Sequence, residues 1–476
     1  MFNQFPAVLS KAQDNRSDDS LSRSTANWMM PQKKNYLFPL AKVTGINLGV
    51  HLFDRFVLIT GWAQVDWGSI RNNLNKGPVW DNDSFSTNLF WHPYHGSLYF
   101  NSARSSGLNF WQSTPYAFGG SLMWEYFGER EQPSLNDLFA TTIGGMALGE
   151  IMHRASHLVL DNSATGWERV GRELAAGIMS PMNLLDRLAS GKAWKLRFDK
   201  EQQNRPPFKL NLSVANRFMS DLYNNRNHFN TLLSAQMIYG NHFTEDIHRP
   251  YDCFTVNFDL NVLGNQPIVS NVNIIGLIWA QEWNKDKHDF LAGIFQHFDY
   301  YDSNPLKKDA QQPFKFAETA SFGGGFIYGK KQKNANKHRF IGSLYANAVF
   351  LGASDSDYYQ VENRNYNIGS GYSVKLSGIY NFSPRWNTIL SIKNYYFFTH
   401  NPHSREEEAL LVNLKGNSSN SMLSVIATGI NFAATKYLTI NMEQRFYSRQ
   451  TQYKYFDNIS TTSTENRIKL IFQINR

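Results

Sequence analysis

One cysteine, Cys253, in 476 residues excludes an intrachain disulfide and any metal cluster built on cysteine. Charge is sparse as well. Asp, Glu, Lys and Arg together make up 18 % of the chain, below the roughly 25 % of ordinary soluble domains. No apolar run reaches the roughly 20 uncharged residues that a helix needs to span a bilayer. The nearest, PLAKVTGINLGVHLFDRFVLITGW (Pro39–Trp62), contains Lys42, His51, Asp54 and Arg55, all costly in lipid. It reads as a buried or interfacial helix. Basic stretches with interleaved aromatics are lacking too, which removes nucleic acid from the expected partners. KKQKNANK (Lys330–Lys337) reads as a loop. The opening MFNQFPAVLSKAQ has no long apolar core of the signal-peptide kind, although SKAQ has the form of a cleavage site after Ala12. Residues 1–35 are expected to be a polar, disordered leader or the remnant of a signal peptide.

Aromatics, by contrast, are abundant at 15 %, and the net charge of +8 favours anionic partners such as lipid headgroups. Two hydrophobic periods divide the rest. Residues 36–192 read as helical. Ser134 can cap a helix with Asp137 at the third position, and that helix is expected to run to about Leu160. A second is expected from about Trp167 to Leu188. Gly145 and Gly149 form a small-xxx-small pair that admits a second backbone. From Pro207 the period is two. FKLNLSVANRF sets Phe208, Leu210, Leu212 and Val214 against Lys209, Asn211 and Ser213. FTVNFDLNV and YSVKLSGIY alternate in the same way. About twelve such segments are spaced over 207–475, an even number of the length that tilted spanning strands need. Two C-terminal turns, NFSPRW and FAATKY, are tight, whereas 400–421 and 449–466 read as long polar loops. Short turns on one rim and long loops on the other are the habit of outer-membrane barrels. The expected fold is α+β: an N-terminal helical domain, 36–192, that closes or supports an antiparallel transmembrane β-barrel, 205–476.

The helical part holds a polar constellation. HPYHGSLYFNSARSSG (His92–Gly107) is followed by GSLMWEYFGE and PSLNDLFATTIGGMALGE. Catalytic candidates are His92, His95, Glu125, Asp137, Glu150 and His153. Ser97, Ser102 and Ser121 are the hydroxyls that a histidine could activate, but no G-x-S-x-G elbow is present. Glu150, His153 and His157 share a helix face at the Glu-x-x-His spacing of di-iron bundles. One such motif is half of what a di-iron site uses, so these three are weak metal candidates, and no metal or other cofactor is expected. Candidate binding residues are Arg104, Glu129 and Asn136, with His297 and Asp299 on one face of a barrel strand. The stronger reading is a packing lock, because buried polar groups must be paired and paired networks fix one packing. It pairs Arg104 with Glu125 or Glu129, and Asn136 or Asp137 with His92 or His95. Asp259, Lys393, Glu443 and Arg445 are expected to face the lumen.

NNLNKGPVWDNDSFSTNLFWHPYHGSLYFNSARSSGLNFW, GSLMWEYFGE, PSLNDLFATTIGGMALGE and LDNSATGWERVGRELAAGIMSPMNLLDRL together resemble an uncharacterised family of Gram-negative envelope proteins, domain of unknown function three-nine-four-three. The resemblance covers about residues 37–192 and extends less distinctively into the strands, through FQHFDYYDS (Phe295–Ser303). It implies an outer-membrane or periplasmic-face location and no activity. The expected role is envelope maintenance or passage of a small or lipidic solute, in contact with outer-membrane lipids or lipopolysaccharide. The competing readings are a barrel-associated hydrolase of lipid or lipopolysaccharide, and a soluble periplasmic binding protein.

Overall fold

The computed structural model describes residues 34–81, 83–196, 206–221, 226–243, 249–263, 267–303, 315–332, 335–359, 364–400 and 416–475. The leader expected before residue 34 lies outside them. The described residues fall into two compact units, one helical and one a barrel.

The helical unit contains α1 (Leu37–Phe56), α2 (Trp67–Lys76), α3 (His92–Arg104), α4 (Phe110–Phe127), α5 (Leu135–Phe139), α6 (Gly145–Val159), α7 (Gly166–Met179) and α8 (Pro181–Ala189). Local chemistry sets the ends. Asp66 and Ser69 form a reciprocal capping box on α2, and Asn109 and Gln112 form one on α4. The single helix expected from Ser134 to Leu160 is divided. Ala140–Gly144 winds as a π-turn between α5 and α6, where two β-branched threonines precede two glycines, all weak helix formers. The helix expected over 167–188 breaks at Ser180. Pro181 disfavours the helical region for the residue before it, and Ser180 sits at φ −142, ψ 87.

Buried α3 packs against α1, α4 and α6. Its contact with the π-turn and α6 is backbone against backbone. A Cβ on Gly96 would stand 1.7 Å from the Thr141 carbonyl oxygen, and one on Gly145 would stand 2.6 Å from the Gly96 carbonyl carbon. Helix α1 buries Val43 and Asn47 but leaves Leu40, Leu48, Leu52, Phe53 and Phe56 exposed. Among the described residues no helix is long and apolar enough to cross a membrane.

The barrel is a closed antiparallel meander of twelve strands: β1 (Phe208–Asp221), β2 (Arg226–Tyr239), β3 (Phe254–Leu263), β4 (Val269–Lys285), β5 (His288–Asp302), β6 (Lys315–Gln332), β7 (Ala335–Asp355), β8 (Tyr366–Asn381), β9 (Trp386–Thr399), β10 (Ser419–Ala433), β11 (Leu438–Tyr453) and β12 (Ile459–Asn475). Each strand pairs with its chain neighbours, and β1 closes on β12 with Lys209 opposite Asn475. Closure removes both sheet edges. Leu212, Val214, Tyr372, Leu376, Leu470 and Phe472 point outward and are exposed, while Asn211, Ser213, Ser373, Lys375 and Lys469 point inward and are buried.

Several boundaries differ from the sequence expectation. The 449–466 loop is mostly strand, because β11 runs to Tyr453 and β12 starts at Ile459. There the exposed Gln450, Gln452 and Ser460 are as polar as the buried Arg449, Thr451 and Ser463, so the apolar–polar alternation fades while pairing continues. The KKQKNANK loop is likewise mostly strand, since β6 reaches Gln332 and β7 starts at Ala335. Aromatic residues 395–398 are not all on an outer girdle: Tyr395 and Phe397 are buried inside, and Phe398 is exposed outside. The long connection after β2 is not slack in its described part. Tyr251, at φ 64, lies against Gly276 and donates its hydroxyl to Gln296, 2.9 Å away. Cys253 joins an apolar cluster with Leu277, Leu291 and Phe295.

Candidate functional site

Two polar assemblies stand out, one in each unit. In the helical unit the N-cap of α5 is shared between helices. Ser134 Oγ accepts from the Asp137 N–H, while the Ser134 N–H donates to Glu125 Oε2 of α4 at 2.7 Å. Because Glu125 takes that bond, the Asp137 carboxyl is free for other partners. It lies 3.5 Å from His92 Nε2 and accepts from the Asn136 amide at 3.1 Å. Asn136 also exchanges bonds with Asp81: its amide donates to Asp81 Oδ1 at 2.7 Å, and the Asp81 N–H donates to Asn136 Oδ1 at 2.8 Å. Asn88 donates to the same Asp81 oxygen. The network thus ties α3, α4 and α5 to the segment before α3.

Burial sets the protonation here. It pushes Asp137 well above the usual carboxyl range, helped by the charge of Asp81. Burial opposes ionisation of Asp81 too, but hydrogen bonds from Asp137, Asn136 and Asn88 hold it below the usual range. Burial and the hydrogen bonds thus shift the two neighbouring carboxyls in opposite directions. Burial also raises Glu125, with Glu129 adding to the shift, and takes Glu129 up to about 8 against the bond from the Trp124 indole N–H. Burial lowers His92, and it lowers His95 to about 3. The His95 ring is edge-on to Trp124, and its Nε2 has no partner among the described residues.

Arg104 pairs with neither Glu125 nor Glu129. The short link after α3 makes α3 and α4 antiparallel, so Arg104 lies at the start of α4 and the two glutamates lie beside the start of α3. Arg104 instead grips Glu150 of α6, with Nε to Oε2 at 2.6 Å and Nη2 to Oε1 at 3.0 Å. Arg154, one turn on from Glu150, adds a bond of 2.8 Å. Their charges hold Glu150 below the usual range against the effect of burial. The carboxylate that the Glu-x-x-His spacing offered to a metal is occupied by two guanidinium groups. His153 and His157 pack edge to face with centroids 4.6 Å apart. The three serines all donate to backbone carbonyls: Ser97 to Tyr94, Ser102 to Leu98 and Ser121 to Asp137. The signal for Arg154 was its i+4 spacing from Glu150. Of the partners of Asp81 only Asn88 is local; Asn136 and Asp137 lie some fifty residues on and left no signal beside it.

Glu129 carries a pH prediction. Unfolded, its carboxyl titrates near 4.5; folded, it titrates at about 8. Between these values the folded state holds a proton that the unfolded chain has lost, so raising the pH costs stability. Glu129→Gln is expected to raise the melting temperature of the helical unit progressively from pH 4.5 to 8, with the two curves meeting below pH 4.5. A gap that does not change with pH would refute this assignment.

The second assembly fills the barrel lumen. A ladder of amides crosses five strands: Asn211 donates to Gln236 at 2.8 Å, Gln236 to Asn257 at 2.8 Å, Asn257 to Asn273 at 3.0 Å, and Asn273 to Asp299. Asp299 also accepts from the Tyr395 hydroxyl at 2.6 Å and pairs with Lys375 at 2.8 Å. Lys375 reaches Glu318 at 2.8 Å and lies 3.3 Å from His297 Nδ1, so it links His297 and Asp299. Arg467 bridges Asp259, 3.0 Å away, and Glu465. Lys469 and Arg445 share Glu443. Asp259, Lys393, Glu443 and Arg445 all border the lumen, as alternation in the sequence required. Lys375, Glu465 and Arg467 obey the same alternation, whereas Glu318 sits at a register shift between β6 and β7.

A cavity of about 200 Å³ lies inside the barrel. On one side its wall is an aromatic layer in which Tyr301, Phe316, Tyr395 and Tyr447 pack with Leu423 and Val425. The Tyr301 and Tyr447 hydroxyls both donate to Glu465. Beyond that layer, Asp357 of the β7–β8 connection is held by Arg449 at 2.6 and 2.7 Å and by the Tyr453 hydroxyl at 2.7 Å.

Among solved structures, the chain is similar to the NanC porin, at 12 % identity and a TM-score of 0.29, over 55 % of this chain and all of that one. It is similar to an outer membrane channel from Pseudomonas putida F1, at 7 % identity and a TM-score of 0.31, over 56 % of this chain and 96 % of that one. It is also similar to the KdgM porin, at 8 % identity and a TM-score of 0.24, over 55 % and 98 %. A comparison with curated proteins finds no match. Residues 77–182, from the start of the polar network through α3–α7, carry the domain described as "Domain of unknown function (DUF3943)".

Proposed function

We propose that this chain is an outer-membrane barrel that passes a small polar solute through a gated lumen, without catalysis. The observation that carries this reading is the cavity of about 200 Å³, enclosed by a closed barrel, lined with charges and amides, and walled by aromatic rings. The cavity's exposed wall is more apolar than polar, but the charges and amides set into it favour a polar guest over a purely lipidic one. The apolar outward side chains of β1 and β8–β12 suit lipid, which favours the membrane over a soluble binding protein. The strand termini and the tight turns after β4, β6, β8 and β10 share one rim, the periplasmic rim of such barrels. The exposed leucines and phenylalanines of α1 add a second apolar surface for lipid.

The test is conductance in planar bilayers. The wild type is expected to show small or rare openings, because the aromatic layer spans the lumen. Tyr301→Ala with Tyr447→Ala removes two rings from that layer and is expected to raise conductance severalfold. A refolded double variant that conducts no more than wild type would make the lumen a fixed core and end the passage reading.

A further inference from the structure

We infer that the lumen cavity is a binding site for a small hydroxylated carboxylate. This inference rests on the passage reading for access to the cavity. The charges that border it are unequally spent. Lys375 and Lys469, 4 and 3 % exposed, are consumed by carboxylates. The carboxylates themselves are withdrawn: Asp259, Asp299, Glu318, Glu443 and Glu465 are all 9 % exposed or less. Two cations remain open to the cavity. The Lys393 side chain is 26 % exposed, and its closest carboxylate oxygen, on Asp299, is 3.7 Å away. The Arg445 side chain is 22 % exposed and engages Glu443 through Nε, which leaves its terminal nitrogens available.

A third donor is buried. Arg467 is 1 % exposed and borders the cavity, yet its Nη2 has no hydrogen-bond partner among the described residues. A guanidinium nitrogen shut away from bulk water needs an acceptor. The space for that acceptor comes from β10. Lys393 is in register with Val425 and Arg445 with Ala427, and Gly429 follows on the same inward face. Small residues between two long cations leave a cradle that is cationic on three sides.

The opposite wall selects what else the anion carries. Gln236 and Asn257 each give one N–H and one carbonyl to the ladder, so each retains one donor and one acceptor lone pair. Thr255 and Ser391 border the same space. Such a wall matches hydroxyl groups, which both donate and accept. The volume lies below the roughly 300–1,000 Å³ of common ligand pockets, so the guest is small.

The test uses the purified full chain in detergent, titrated calorimetrically with gluconate, glucose and inorganic phosphate. Gluconate is expected to saturate one site, with glucose and phosphate at least roughly tenfold weaker, as expected for lost charge-assisted or hydroxyl contacts. Lys393→Met with Arg445→Met is expected to weaken gluconate by a similar factor and leave the heat-modifiable mobility of the barrel intact. Should that pair fail to fold, Lys393→Gln alone reads the same loss. Glucose or phosphate binding as tightly as gluconate, or variants that keep full affinity, would overturn the site. Gluconate binding by a protein that never conducts leaves the site standing and removes the passage reading. Conductance without gluconate binding does the reverse.

Discussion

Gly96→Val is expected to unfold the helical unit and leave the barrel intact. The Cβ alone would stand 1.7 Å from the Thr141 carbonyl oxygen and 2.6 Å from its carbon. The obstacle is main chain, so no rotamer change relieves it. Either α3 moves away from the π-turn or the turn unwinds. Separation would also part Gly145 from Gly96, where a Cβ on the α6 side would meet the Gly96 Cα at 2.7 Å. It would pull His92 from Asp137, one turn earlier on α3. Overpacking a core costs about 1–3 kcal/mol when side chains can yield. Here they cannot, so a loss above about 3 kcal/mol is expected, a large part of the stability of any single domain. Helical circular dichroism and limited proteolysis read the helical unit; heat-modifiable gel mobility reads the barrel. Gly119→Val is the control, since its Cβ would meet nothing within 4 Å. If Gly96→Val melts with the wild type, the tight α3–α6 crossing is wrong.

How much of this was legible in the sequence follows from where the physics is local. The strands were readable because each faces lipid-like surroundings on one side and a polar interior on the other, and that contrast is written residue by residue. At the β11–β12 hairpin polar residues fill both the buried and the exposed face, so nothing in the sequence marks the strand. The Ser134 cap was legible, being set within four residues. The exchange of its N–H to Glu125 was not, because it depends on how α4 returns beside α3. The place of Arg104 follows from connectivity. A helical hairpin places the end of α3 beside the start of α4, which already separates Arg104 from Glu125. In the lumen, the inward position of Asp259, Lys393, Glu443 and Arg445 follows from parity. Pairings such as Arg467 with Asp259, or Tyr301 with Glu465, do not. They join strands far apart in the chain, and barrel closure and stagger decide them.

Glu150→Gln is expected to destabilise the helical unit by about 3–5 kcal/mol, the cost of removing one partner from a buried ion pair. Glu150 is fully buried between Arg104 and Arg154, and Arg154 is itself 2 % exposed. A glutamine keeps the volume but carries no charge, and it turns an NH2 towards one of the guanidinium groups. Arg104 then loses its carboxylate partner, and Arg154 loses one of its charge contacts. The pH dependence separates this effect from that of Glu129. The arginines hold the folded Glu150 carboxyl below its unfolded range, so its contribution is complete above about pH 4.5 and is lost as the pH falls through the folded value. The difference in melting temperature between wild type and Glu150→Gln should therefore stay level from pH 5 to 8 and shrink in stronger acid. The Glu129→Gln difference instead grows across that upper window. Replacing all three residues with methionine tests the mechanism further. If uncompensated charge is the cause, the triple variant recovers most of the stability that Glu150→Gln loses, because an apolar core of similar volume has no charge left to pair. A Glu150→Gln protein within about 1 kcal/mol of wild type, the size of an ordinary substitution, would mean that the carboxylate is not a structural anchor. It would return Glu150 to the list of residues that could act on a substrate.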